Sequence, residues 1–391
     1  MSSPQLRVAL IGTAFMGRAH SHAWRTAPRF FDLPMQVHRR VIAGRDADRT
    51  AAAASELGWA EAATDWRSIV ERDDIDLIDI CTPGDTHEEI AVAALAAGKH
   101  VLCEKPLANS LAEAERMADA ARAASALSMC GYSYRRTPAL AFARRLVADG
   151  RIGAIRHIRA QYLQDWLSDA DAPLTWRLDK TKAGSGALGD IGAHSIDAAQ
   201  WVSGLDIVDV SARLRTFVTT RPTLTEQIGL GGRGDADAER GPVTVDDAAA
   251  FTARFEGDAL GVFEASRMAL GRRNANRLEI NGELGSIAFD FERMNELEFY
   301  DAADAAGEQG FRRIQVTEPE HPYAAAWWPA GHGLGYEHVF THQVVDLVRA
   351  IAAGEQPTPS FDDALQVQRV LDAVERSATT GSRVTAVGHG E

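Results

Sequence analysis

The sequence reads as an α/β protein: a doubly wound parallel sheet over residues 1–130, then an α+β region over residues 131–391 with a large, mostly antiparallel sheet. Two observations carry this. Through residue 130, short strands that are apolar on both faces alternate with alanine-rich helices, the pattern of a parallel sheet covered on each side. From about Arg156 the strands lengthen and alternate apolar with polar residues, the pattern of a sheet with one wet face.

Taken in order, LRVALIG is the first strand and Met16 to Ala27 the first helix, followed by strand VHRRVIAG and helix Asp48 to Leu57. Strand IDLIDICTP, helix Thr86 to Ala97, strand HVLCEKP and helix Leu111 to Ala124 complete the alternation. The later strands are IRHIRAQYL, VDVSARLRTFV, AAAFTARF, ALGVFEASR and RLEINGELGSIAFDF, with a helix near Asp190 to Val202. ARFEGDALGVFEA and LEINGELGSIAF read as hairpins. Ile228 to Val243, rich in glycine and charge, reads as a mobile loop, and its RGD triplet at Arg233 to Asp235 carries no adhesion reading in a chain without a secretion signal. Helices are expected over Tyr336 to Ala353 and, opened by Ser360, over Phe361 to Ala378.

With 46% hydrophobic and 25% charged residues the composition is that of a globular protein with a sizeable core. A formal charge of −14 disfavours nucleic acid and anionic membrane surfaces and leaves small molecules as partners. Met1 to Gln5 lead straight into Leu6 to Ile11 without a leader pattern, and no run approaches the ~20 apolar residues of a membrane span, so a cytoplasmic protein is expected. Cys81, Cys103 and Cys130, odd in number and without CxxC spacing, read as core hydrophobes and not as a disulfide frame or zinc site.

Five stretches carry chemistry. In ALIGTAFMGRAH a glycine turn joins the first strand to the first helix, where helix-terminal N–H groups can hold a pyrophosphate; Gly12 and Gly17 take the outer positions of GxGxxG and Ala14 the middle one, with Phe15 and Met16 in the same turn. The second strand ends on Gly44, Arg45 and Asp46. An acid directly after that strand would read the ribose of NAD, whereas Gly44 removes that repulsion and Arg45 can pair with the extra phosphate of NADP, so the cofactor is NAD or NADP with a lean to NADP; Asp46 reaching the ribose is the alternative. CTPGDTHEEIA places Thr82, Pro83 and His87 at the ligand-bearing edge of the sheet, with Asp85 and Glu88 as a capping box. GKHVLCEKPLA brings Glu104, Lys105 and Pro106 to the same edge, where a half-desolvated lysine beside a dinucleotide would be a usable acid or base; a solvated Glu–Lys pair before a proline-fixed turn is the alternative. The fifth stretch is GSGALGDIGAHSIDAAQW, where Asp190 and His194 stand at i and i+4, one face of the predicted helix; the carboxylate can orient the imidazole as a base for a hydroxyl proton. Half of a metal site or a plain surface ion pair are the alternatives, and no further ligands stand at suggestive spacing.

GTAFMG, TPGDTH, EKPLA and GDIGAHSID, in that order, resemble the Gfo/Idh/MocA oxidoreductases along the whole chain. The resemblance implies an N-terminal Rossmann domain, a C-terminal domain whose open sheet forms a homodimer or homotetramer interface, and a nicotinamide cofactor. It also implies Lys105, Asp190 and His194 as the catalytic set, with Pro106 after a cis bond. YSYRRTPA, YLQDW, PLTWR and AGSGALGDIGAHSID look most like the family's levoglucosan-oxidising branch, which acts on pyranose C3 hydroxyls. On that likeness Tyr134, Gln164 and Trp166 line a sugar site with Lys105, Asp190 and His194, and Arg135, Trp176, Arg177 and Tyr336 are further candidates. The function expected is an NAD(P)-dependent sugar dehydrogenase; a glycosidase that oxidises C3 transiently and a non-catalytic dinucleotide-binding protein are the alternatives.

Overall fold

The computed structural model describes residues 4–228, 231–234 and 239–388. Two compact units emerge: Met1–Ser133 with Tyr336–Gln368, and Tyr134–Gly335 with Arg369–Glu391. The sequence reading placed one boundary, after residue 130.

In the first unit, strands β1 (Gln5–Ile11), β2 (Gln36–Ala43), β3 (Glu61–Ala63), β4 (Leu77–Ile80), β5 (His100–Cys103) and β6 (Ser128–Cys130) form a parallel sheet in the order β3-β2-β1-β4-β5-β6. Helices α1 (Phe15–Phe30), α2 (Ala47–Leu57), α3 (Trp66–Val70), α4 (His87–Ala96) and α5 (Leu111–Ala123) cross between the strands. Val8, Leu10, Leu77, Ile78, Val101 and Leu102 are fully buried, as strands covered on both faces require. Strand order reverses at β1, so the carboxyl ends of β1 and β4 form the crevice where doubly wound sheets bind ligands.

The expected capping box at Asp85 and Glu88 is not formed. Gly84–Thr86 turn as a 3-10 helix, no side chain caps α4, and Glu88 pairs with Arg116 of α5. A capping box does form at Ser110 with Glu113, at the start of α5.

The second unit contains helices α6 (Pro138–Ala148), α7 (Lys180–Ala183) and α8 (Ala193–Ser203) and strands β7 (Ile155–Leu163), β8 (Ile207–Arg215), β9 (Thr220–Pro222), β10 (Leu224–Ile228), β11 (Gly231–Gly234) and β12 (Arg240–Pro242). It continues with β13 (Ala248–Phe255), β14 (Leu260–Ser266), β15 (Ala275–Gly282), β16 (Gly285–Asp290), β17 (Glu296–Asp301), β18 (Arg312–Gln315) and β19 (Thr385–Ala386). The main sheet runs β18-β17-β16-β15-β7-β14-β13-β8-β19, antiparallel except where β7 meets β14. Both expected hairpins, β13–β14 and β15–β16, are present. Along β13, Ala249, Phe251, Ala253 and Phe255 are buried while Ala250, Thr252 and Arg254 are exposed, so one face is core and the other is open. Helices α6 and α8 pack against strands of this sheet. Leu260 and Val262 stand exposed on β14.

Two expectations change here. The stretch Ile228 to Val243 is not one loop among the described residues: β10 pairs with β11 and β12 with β9. Residues 229–230 and 235–238, and with them Asp235 of the RGD triplet, lie outside the described residues. The helix expected near Asp190 opens instead with a π-helical turn, Leu188–Gly192, before α8.

Helices α9 (Tyr336–Ala353) and α10 (Phe361–Thr379) follow the expected bounds closely. α9 returns to the first unit because its apolar side packs on α1, with Phe340 against His20 (ring centroids 5.6 Å) and His342 against Phe31 (5.8 Å). Ser360 and Asp363 cap α10 reciprocally.

Candidate active site

The first unit supplies a dinucleotide cradle. Gly12 ends β1 with φ +116°, a conformation L side chains avoid, and a Cβ there would stand 2.5 Å from the Cys81 carbonyl oxygen. A Cβ on Gly17 would meet the Gly12 carbonyl at 2.0 Å, so both outer glycines are needed to bring α1 against the sheet. Ala14 is the N-cap of α1; no side chain caps the turn and no acid lies in it, which leaves a diphosphate to meet backbone N–H groups. Met16 is half-buried, and the exposed Phe15 stacks on Tyr336 of α9 at 6.2 Å, which puts Tyr336 beside this turn. These features fit a nicotinamide dinucleotide.

At the end of β2, a side chain on Gly44 would meet Thr50 Oγ1 at 2.6 Å and Thr13 Cγ2 at 3.0 Å, so that position is closed to an acid as packed. Arg45 and Asp46 are exposed, and Asp46 caps α2 by accepting the Arg49 N–H at 2.9 Å.

Lys105 is half-buried at the end of β5, and the Lys105–Pro106 bond is cis. A histidine stands on each side of this turn. His87 is buried, with Nδ1 3.1 Å from the Pro106 carbonyl and 3.2 Å from that of Leu107, and Nε2 2.9 Å from the Thr82 carbonyl. It ties the loop carrying Thr82 and Pro83 to the lysine turn and is spent on backbone. On the other side Glu104, 4% exposed, meets His20 Nε2 at 3.0 Å. His20 Nδ1 lies 2.9 Å from Asp79 Oδ1, and Asp79 also accepts the Trp24 indole N–H at 2.7 Å. Burial works against a charged His20, but Asp79, together with Cys81, outweighs it and holds this histidine well above its ordinary pKa. Burial also pushes the neighbouring Cys81 thiol strongly up. His20, Asp79 and Cys81 bring possible metal-ligand atoms within 4.8 Å of one another, but these groups already engage one another and Trp24.

The second unit carries the remaining candidate residues. Asp246, buried, accepts the Gly186 and Leu188 N–H groups at 2.7 and 2.8 Å and so anchors the π turn that carries Asp190. Burial raises the Asp246 pKa against those N–H bonds. Asp190 Oδ2 lies 3.5 Å from Nη1 of Arg267, a guanidinium with no exposed surface. Arg177 is also near: its pKa is lowered by burial, with Asp190 pulling it up and Arg267 pushing it further down. Arg177 also covers the Trp176 ring at 4.4 Å.

His194, buried in the first turn of α8, stacks on Tyr134 with ring centroids 4.4 Å apart. From Tyr134 a hydrogen-bonded chain runs across the sheet. Tyr134 and Tyr162 share a bond of 2.9 Å, Tyr162 donates to Asn274 Oδ1 at 2.6 Å, Gln164 Nε2 donates to the same oxygen at 2.9 Å, and Trp166 donates to Gln164 Oε1 at 3.0 Å. Arg267 lies over the Trp166 ring at 5.6 Å. The expected Tyr134, Gln164, Trp166, Asp190 and His194 thus belong to one neighbourhood of this unit. Arg135 is instead locked to Asp197 of α8, with contacts of 2.6 and 3.0 Å.

Sequence reasoning missed His20, Asp79, Tyr162, Asn274 and Arg267. Signals existed for two of them. Asp79 is a lone acid inside the apolar run IDLIDIC, and His20 and Trp24 stand at i and i+4 on α1.

A doubly wound sheet with a glycine cradle, a lysine turn at its carboxyl edge, and a second unit offering an Asp–His pair describe a nicotinamide-dependent oxidoreductase. Residues 6–132 match the oxidoreductase family with an NAD-binding Rossmann fold, and residues 140–288 match the Gfo/Idh/MocA C-terminal domain. The chain belongs to the Gfo/Idh/MocA family of oxidoreductases. A levoglucosan dehydrogenase of Pseudarthrobacter phenanthrenivorans is 43% identical over 382 residues, 97% of each chain. The crystal structure of an oxidoreductase domain protein from Kribbella flavida is 61% identical with a TM-score of 0.94, covering 99% of this chain and 100% of that one. A levoglucosan dehydrogenase solved with NADH and levoglucosan is 41% identical with a TM-score of 0.92, covering 98% of this chain and 100% of that one.

Proposed function

We propose that this chain is an NAD(P)-dependent dehydrogenase that oxidises a secondary hydroxyl, at C3, of a pyranose, anhydropyranose or glycoside to the keto sugar. The observation that carries the reading is the neighbourhood of His194. An imidazole stacked on an aromatic ring, with a chain of amide, phenol and indole groups beside it, offers what a sugar asks for: aromatic faces and dense hydrogen bonding. The full-length likeness to levoglucosan dehydrogenases, one of them solved with NADH and levoglucosan, supports the substrate class.

When bound, the oxidised cofactor supplies a hydride acceptor at nicotinamide C4. The cradle of Gly12, Ala14, Phe15, Met16 and Gly17 would hold its diphosphate, with Thr82, Pro83 and Glu104 at the same edge of the sheet. His194 takes the hydroxyl proton as general base, and Asp190 orients the imidazole or a neighbouring hydroxyl. The Lys105 ammonium stabilises the alkoxide that develops as the hydroxyl proton leaves, before the carbon–hydrogen bond breaks to give the carbonyl. Gln164, Trp166, Arg177 and Tyr336 contact the sugar. NAD use is supported by the NADH-bound relative, and the exposed Arg45 beside Gly44 leaves room for a 2′-phosphate, which favours NADP as a second cofactor. The open face of the C-terminal sheet, with Leu260 and Val262 exposed, is the surface for a homodimer or homotetramer.

The test is a panel of monosaccharides, anhydrosugars and glycosides with each cofactor, followed at the reduced-nicotinamide absorbance. Turnover of pyranoses with a free equatorial or axial C3 hydroxyl, lost in 3-deoxy analogues, is expected; equal turnover of the 3-deoxy analogues would reject C3.

A further inference from the structure

Between the glycine cradle and the lysine turn lies the buried group Asp79, His20 and Glu104; the mechanism above uses Glu104 at the sheet edge and gives His20 and Asp79 no part. It joins three elements. His20 stands on the second turn of α1, Asp79 within β4, and Glu104 directly after β5. Side-chain exposure is 1% for His20, 0% for Asp79 and 5% for Glu104, so water does not screen the contacts. Each ring nitrogen faces a carboxylate, Nδ1 at 2.9 Å and Nε2 at 3.0 Å, and only a ring carrying both protons can donate to both.

Glu104 has little freedom. Its N–H bonds the Ile80 carbonyl at 2.9 Å, and Gly131 lies so close that a Cβ there would stand 2.5 Å from Glu104 Oε1. Phe340 of α9 closes over the His20 ring at 5.6 Å. Two residues beyond Glu104 the chain is held again, by His87 on the Pro106 and Leu107 carbonyls. Lys105 is therefore suspended between two anchored points, one of which depends on His20.

We propose that His20 is a positioning residue for the dehydrogenase reaction: as a doubly donating bridge between Asp79 and Glu104 it sets the Lys105 turn relative to α1, the helix that would hold the cofactor diphosphate. The inference rests on Lys105 being the catalytic amine. A lysine misplaced by about 1 Å can cost roughly 10²-fold in rate without loss of binding. A glutamine in place of His20 offers one N–H-bearing end and one carbonyl end, so with the amide donating to Asp79 its oxygen faces the Glu104 carboxylate, acceptor against acceptor. Changing Glu104 to glutamine as well turns that partner into a donor and restores the bridge.

The experiment compares wild type, His20→Gln, the double variant His20→Gln/Glu104→Gln, and Lys105→Met. Each is assayed for kcat per cofactor-binding site, counted by NADH fluorescence titration, and for NAD+ affinity. Expected are a kcat loss of about 10- to 100-fold for His20→Gln with NAD+ affinity within about threefold of wild type, and recovery of at least about tenfold of that loss in the double variant. A His20→Gln kcat per site within about twofold of wild type, or a double variant no better than the single one, would overturn the proposal. If Lys105→Met itself turns over normally, the catalytic assignment fails instead, and the two failures are told apart. A measurement on the unmodified protein stands beside these in case His20→Gln does not fold: histidine-selective 15N NMR is expected to show two ring N–H groups on His20 at neutral pH, and a single one would overturn the bridge.

Discussion

Tyr134 and His194 lie ring on ring, centroids 4.4 Å apart and planes 24° from parallel. Phe291 packs on the tyrosine as well, at 4.4 Å. The imidazole proposed as the base thus rests on an aromatic floor, and that floor is pinned by the Tyr134–Tyr162 hydrogen bond. Tyr134→Phe keeps the ring and removes the phenol with its bond to Tyr162, so kcat should fall by less than about tenfold, in line with roughly 1 kcal/mol for a neutral hydrogen bond. Tyr134→Ala removes the floor, and a stability loss of about 3–5 kcal/mol is expected along with a much larger loss of kcat. Denaturant melts and initial rates on both variants check this; a Phe variant as impaired as the Ala variant would put the phenol, and not the ring, at the centre.

Arg267 has no exposed surface and stands 3.5 Å from Asp190 and 3.1 Å from the Asp246 carbonyl oxygen. Arg267→Met keeps much of the length and apolar stem but removes the cation. The Asp246 carbonyl then loses a partner, and a loss of about 1–3 kcal/mol in stability is expected. Asp190, with one of its two neighbouring cations removed and Arg177 remaining, should titrate higher, moving the acidic limb of the kcat/KM profile to higher pH. An unchanged acidic limb would separate Asp190 from the chemistry.

His20 links stability to pH with a definite sign. Its folded-state pKa is raised well above the ordinary value, so its contribution is complete below the unfolded histidine pKa and is lost as pH rises through the folded one. Asp79, Glu104 and Cys81 are the titratable groups facing it. The melting-temperature advantage of wild type over the His20→Gln/Glu104→Gln variant should therefore be largest near pH 6 and shrink on the alkaline side. A constant advantage across that range would mean that His20 is not charged in the folded protein.

Gly12→Ala puts a methyl 2.5 Å from the Cys81 carbonyl at a φ of +116°. A backbone cost of order 1–3 kcal/mol follows, and the β1–α1 turn must shift to relieve it. Calorimetric titration is expected to show NAD+ affinity down by at least about tenfold, since a 1.4 kcal/mol loss of binding already amounts to that factor.

Much of this architecture could be read from the sequence. Strands such as LRVALIG and HVLCEKP announce a doubly covered parallel sheet because burial on both faces forces continuous apolar runs, and the 3.6-residue period of Tyr336 to Ala353 is unambiguous. What escaped depends on long-range partners or local backbone. His20 acquires meaning only from Asp79 and Glu104, which lie 59 and 84 residues away. The capping box at Asp85 and Glu88 was a pattern match without its geometry, because Arg116 claims Glu88. The π turn at Leu188–Gly192 is invisible to periodicity, since one short turn of either helix leaves Asp190 and His194 within a turn of each other. Asn274 and Arg267 follow strand-end patterns no different from those of ordinary surface residues, and only the folded sheet brings them to Asp190, Gln164 and Tyr162.

The measurement that goes most directly to the central claim follows a label. A substrate pyranose, with levoglucosan as the first choice, carries deuterium at C3 and is incubated with NAD+, and the reduced cofactor is examined by mass spectrometry and proton NMR. The account predicts deuterium at nicotinamide C4 in stoichiometric amount, a 3-keto product, and a rate lower by at least roughly 10²-fold with Lys105→Met. Reduced cofactor without deuterium, or deuterium retained at C3 of the product, would contradict it.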